Sequence, residues 1–161
     1  MRPDSESVRL ALCKDLLSGD FNQVLLDIYA ERGEAELVEY PVTVFGTIRA
    51  APAVFPFGEL YLSRAKQNDP EGLHVDVTYE VTLFWHTIAT DEDEVERKLD
   101  RLLVATREYY SKKTNLFPYL DGTSVWLGDE DYAPFVPIRI GEQAQPLMKS
   151  GAVGIFVRVH W

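Results

Sequence analysis

The sequence predicts an α+β domain: a mainly antiparallel, twisted sheet with helices packed on one face, and one long β-hairpin. Three observations lead there. Apolar and polar residues alternate over residues 75–87 and again over 153–161, the two-residue period of a strand with one buried side. Apolar residues recur at helical spacing near the start of the chain and, most clearly, over the stretch that begins at Asp91. The chain has 161 residues, 46% of them hydrophobic and 26% charged, which suffices for one core and fits a single domain over 1–161.

Asp4 or Ser5 can cap a first helix whose buried stripe is Val8, Leu12, Cys13, Leu16 and Leu17, with Gly19 as its stop. Asp20 with Gln23 resembles a capping box for a second helix with Phe21, Leu25 and Ile28 inside and Gly33 at its end; QVLLDIY also fits a strand. Val38, Tyr40, Val42 and Val44 alternate with Glu39, Pro41 and Thr43 and predict a strand over 36–48, pushed to a sheet edge by Pro41. A strand over 59–64, turn residues Asn68, Asp69, Pro70 and Gly72, and a strand over 75–87 make the hairpin. In its second strand Val75, Val77, Tyr79, Val81, Leu83 and Trp85 should face the core.

The helix that follows is capped by Thr90 or Asp91 and buries Val95, Leu99, Leu102, Leu103 and Thr106. Its opening acids lie at the positive end of the helix dipole, and Lys112 and Lys113 near the negative end. A short strand over 124–127, another suggested by Val136, Ile138 and Ile140, and a final strand ending at Trp161 complete the sheet.

Charge limits the partners. The net charge is -10, with 21 acids and 11 bases in residues 1–110 and five of each in 111–161. There is no basic patch to displace counterions from phosphates, so nucleic acid is not an expected ligand. A negative wall would instead let a polyanion pass without sticking; simple solubility explains the same charge. Cys13 stands alone, which excludes an internal disulfide and suggests a reducing compartment. Residues 1–20 lack the pattern of a signal peptide, and no apolar run approaches the ~20 residues of a membrane span.

Chemistry finds little support. Asp76 and Glu80 share a strand face but stand about 13 Å apart, too far to act together on one bond. His74, His86 and His160 lack metal-ligand spacing, although neighbouring strands could bring His86 and His160 together. Neither G-x-S-x-G nor a phosphate-binding glycine loop is present. No catalytic residue, cofactor or metal is expected.

The unusual residues are rigid aromatics. AVFPFG carries Phe55 and Phe57, LFPYLDG carries Phe117 and Tyr119, and YAPFVP carries Phe135. Proline fixes the backbone, so such rings suit a partner's pocket, unless they fold back over their own sheet. Two strand faces mix aromatics with polar groups: Thr78, Glu80, Thr82, Phe84 and His86 on one, Gly154, Phe156, Arg158 and His160 on the other. Glu80 and Arg158 could pair, adding at most about 1 kcal/mol if exposed. Tyr61 and Arg64, on the hairpin, complete the candidate interface.

A leading helix, an edge strand, a Pro/Phe-rich crossing, and a long hairpin that runs directly into an acid-capped helix (YEVTLFWHTIATDEDEVERKLDRLL) precede a final strand ending at an aromatic. This order resembles the tail terminator, or tail-completion, proteins of long-tailed bacteriophages. The segment DEDYAPFVPIRIGEQAQPLMKSG then reads as an added loop. The resemblance implies a hexameric ring in the virion, assembled in the host cytoplasm. It would cap the tail tube protein, stop its polymerisation, and present a surface to the head–tail neck or connector protein. The hairpin over 59–74 would be an arm extending a neighbour's sheet, and acidic residues would line the channel for DNA. Another neck or connector ring protein, or a small cytoplasmic enzyme or ligand-binding domain, are the alternatives.

Overall fold

The computed structural model describes residues 3–47, 54–72, 74–132, 136–137 and 146–161. The fold is α+β, with a mixed and mostly antiparallel sheet. Helix α1 (Ser5–Leu16) is capped by Asp4, whose carboxylate accepts from the Ser7 backbone N–H. Helix α2 (Gly19–Glu31) follows after only two residues. Ser18, not Asp20, caps it, accepting from the Phe21 N–H. Gly19 therefore opens α2 instead of closing α1, and Gln23 donates to Asp27 rather than forming a box. Gly33, at φ 70, ends α2 as expected.

The strand expected over 36–48 is reduced to β1 (Thr43–Phe45), preceded by a 3-10 turn at Ala35–Leu37. Pro41 lacks the N–H that a longer ladder would need, and Tyr40 and Val42 are exposed. Strands β2 (Phe57–Gln67) and β3 (Asp76–Ala89) pair antiparallel, and helix α3 (Glu92–Lys112) follows directly, capped by Asp91 on the Glu94 N–H. Strand β4 (Thr123–Tyr132) is longer than its apolar centre suggested. The two-residue β5 (Val136–Pro137) falls within the expected strand, whose Ile138 and Ile140 lie outside the described residues. Strand β6 (Leu147–His160) is the last element. The sheet order is β1-β2-β3-β6-β4, with β5 alongside β6; among the described residues only β1 and β2 run parallel.

The core takes Leu60, Val81, Leu83, Trp85, Val125, Val153, Ile155, Val157 and Val159 from the sheet and packs them with all three helices. Val75, Val77 and Tyr79, expected inside, are only half-buried, and residues 63–72 of the hairpin are exposed. Trp85 stacks on Phe21 at 5.9 Å and donates its indole N–H to Thr106, which in turn donates to the Leu102 carbonyl. Asp15 of α1 is fully buried, accepting from the Tyr109 and Tyr110 hydroxyls of α3 at 2.8 and 3.0 Å and pairing with Lys113. Burial pushes both phenols well above their ordinary pKa, so they stay protonated donors. Cys13 is buried beside them, its thiol pushed up to about 11, which suppresses thiolate chemistry.

Candidate interface on the open face of the sheet

Strand alternation puts Val81, Leu83 and Trp85 into the core and turns Thr78, Glu80, Thr82, Phe84 and His86 the other way. The cross-strand register then arranges this second face in rows. Arg64, Glu80, Phe156 and Trp126 form one row; Lys66, Thr78, Arg158 and Ser124 form the next. Below them come Tyr61, Thr82 and Gly154, then Glu59, Phe84, Ala152 and Asp131, then Phe57, His86 and Ser150. Seven of the expected interface residues therefore share one face: Phe57, Tyr61, Arg64, Glu80, Phe84, Phe156 and Arg158.

The aromatics on it differ in availability. Tyr61 is 51% exposed, and Phe84 and Phe156 are half-buried. Phe57 is only 4% exposed, because Phe45, Phe55 and the His86 imidazole surround it at 6.0, 5.1 and 4.7 Å. The expectation that its ring reaches a partner is corrected: the chain covers it itself, with Phe55 as part of the cover. Trp126, which sequence reasoning passed over, is 42% exposed and stacks on Phe156 with centroids 5.6 Å apart and planes 7° apart. A signal for it existed, since Val125 and Leu127 alternate with it.

The loop aromatics go elsewhere. Phe117 is 63% exposed in the α3–β4 connection, and Tyr119 lines a surface cavity with Leu10 and Lys14 of α1. Tyr119 therefore lies beside α1 and not on this face of the sheet. Phe135 lies outside the described residues.

Arg158 does not pair with Glu80. It grips Asp76 through two bonds, Nε to Oδ1 at 2.8 Å and Nη2 to Oδ2 at 2.6 Å. Asn68 donates to the same carboxylate at 2.9 Å, which settles the choice between the two acids flanking Thr78. These bonds, those from Arg158 foremost, hold the Asp76 carboxyl far below its ordinary pKa and fasten the hairpin's loop end to β6. His86 and His160 do not meet either: they face Ser150 and Asp76 at opposite ends of β3.

His86 has other partners, invisible in the sequence because they lie on three strands. Its Nδ1 is 2.6 Å from the Ser150 hydroxyl, and its Nε2 is 2.7 Å from Glu59 Oε1, though off the alignment of a directed hydrogen bond. Burial lowers the imidazole pKa against the opposing pull of Glu59. Base, acid and hydroxyl are thus in contact, the ingredients of an acyl-transfer triad.

A second cluster sits between α3 and residues 34–39, around a cavity of about 250 Å³. Arg101 bonds Glu34 at 3.2 Å, Lys98 meets Glu39 at 2.8 Å and Glu94 at 3.4 Å, and Arg97 lies 3.8 Å from Glu34. Bases and acids neutralise one another there and tie the 3-10 turn to the helix. Among the described residues no group of three or more His, Cys, Asp or Glu side chains could hold a metal, and no helix is long and apolar enough to cross a membrane. No protein-family model matches the chain, and no curated protein matches it significantly.

Proposed function

We propose that this chain is a structural virion protein that forms a hexameric ring, caps a phage tail tube, stops its polymerisation and joins the tail to the neck of the head. One observation supports self-association most directly. The open face sets Trp126, Phe156, Phe84 and Tyr61 among Arg64, Glu80 and Arg158, the mixture of partly exposed rings and charges found at protein–protein surfaces. The ring and its place in the tail come from the order of elements in the sequence. The net charge of -10 suits a channel that passes DNA without binding it. On this reading the protein is not an enzyme, and its partners are further copies of itself, the tube protein and a neck or connector protein.

A connector ring elsewhere in the neck uses the same features. Images of purified particles test the ring, and a tube-length and tail-joining assay separates terminator from connector: tubes that overgrow without the protein support the terminator. A hydrolytic enzyme is a second reading, favoured by the Glu59–His86–Ser150 contacts. Labelling of Ser150 by a fluorophosphonate, abolished in Ser150→Ala, would establish it; an unlabelled protein supports the structural role.

A further inference from the structure

We propose that the two outer edges of the sheet join successive copies of this chain head to tail, β2 of one copy pairing antiparallel with β4 of the next. The inference rests on the ring reading above and gives it a contact.

Among the described residues β1 covers β2 only along Phe57, Gly58 and Glu59. The same side of residues 60–67 and the outer side of β4 pair with no described strand. Open edges of this kind are templates for another strand unless charge or a bulge selects what may pair. Both devices are present. The β2 register shifts between Leu62 and Arg64, and that of β4 between Leu127 and Glu130.

The charges are opposite. Exposed Arg64 and Lys66 stand on β2, exposed Asp129 and Asp131 on β4. Among the described residues none of these four makes an ion pair, whereas Glu130 between the two acids is taken by Arg107 through bonds of 2.7 to 3.0 Å. Arg64, Lys66, Trp126 and Asp131 all point to the open face, so pairing the edges would put bases beside acids and an indole on one surface.

Direction agrees as well. β2 and β6 run one way, β3 and β4 the other. A copy rotated about an axis along the strands therefore presents β2 antiparallel to β4. Two different edges make a heterologous contact, the kind that closes into a ring. Like edges repel, which disfavours a two-fold dimer through either one.

Charge reversal with rescue tests this. Arg64→Glu/Lys66→Glu and Asp129→Lys/Asp131→Lys are each measured alone and as an equimolar mixture by native mass spectrometry and sedimentation, with circular dichroism as the check on folding. Each variant alone should associate at least about tenfold more weakly than the wild type. The mixture should recover assembly, as particles with even numbers of alternating copies, because every contact again joins acid to base. Variants that assemble like the wild type overturn the edge pairing while leaving the ring intact. A mixture of folded variants that stays monomeric overturns it too. A wild type that is itself monomeric removes the ring reading and this inference together. Amide hydrogen exchange on the wild type decides independently of any variant: residues 60–67 and β4 should gain protection with concentration, and unchanged exchange there contradicts the pairing.

Discussion

Trp126 and Phe156 lie face to face on neighbouring strands, 5.6 Å between centroids and 7° between planes, on the side of the sheet that the core does not use. Gly128 makes room for them: a Cβ there would stand 2.7 Å from Phe156 Cε2. The pair is a preformed, rigid aromatic surface with little entropy left to lose on contact. Trp126→Ala should weaken self-association by about tenfold or more while lowering the melting temperature less than a core substitution would, because Trp126 is 42% exposed. Gly128→Val should tilt the Phe156 ring and give a similar loss. Sedimentation at several concentrations measures both.

Asp15 is fully buried, with two phenol donors and Lys113 around it. Asp15→Ala strands those donors and should cost about 3 kcal/mol in urea unfolding. Lys113→Met, which leaves the tyrosine bonds in place, should cost less.

The imidazole of His86 titrates below its ordinary value of 6.5 because it is buried. The unfolded chain therefore binds the proton more readily than the folded one. Stability is full above about pH 6.5 and falls as the pH drops below it toward the folded value. His86→Gln should flatten the dependence of the melting temperature on pH between 7.5 and 5.5. An unchanged slope would place the titration elsewhere.

Arg158 holds Asp76 ionised far below the ordinary carboxylate value of 3.8, chiefly through its two hydrogen bonds. The stability this pair lends is present above about pH 3.8 and is lost as the pH falls through the folded value. The wild type should thus exceed Arg158→Met in melting temperature at pH 5 to 7, and the gap should narrow below pH 3.8.

Much of the fold was legible because its signals are local and periodic. The α3 stripe and the lower half of β3, from Val81 to Trp85, follow from spacing alone. What failed were assignments that depend on distant neighbours. Residues 38–42 alternate like a strand, yet the structure gives them no ladder. Gly19 looks like a stop until Ser18 is seen capping the next helix. The open face was half legible: alternation singled out Glu80, Phe84, Phe156 and Arg158, but not which acid Arg158 would choose. Glu59, His86 and Ser150 meet only because β2, β3 and β6 are adjacent, an order that no local pattern encodes. Phe57 was misjudged because a Pro-Phe segment looks alike whether its ring turns outward or lies under Phe45 and Phe55.

The most direct measurement is the mass of the purified wild-type protein in solution over a wide concentration range. A ring predicts a discrete species at six times the 18.3 kDa chain, stable on dilution into the micromolar range. A single 18.3 kDa species that persists at millimolar concentration would contradict it.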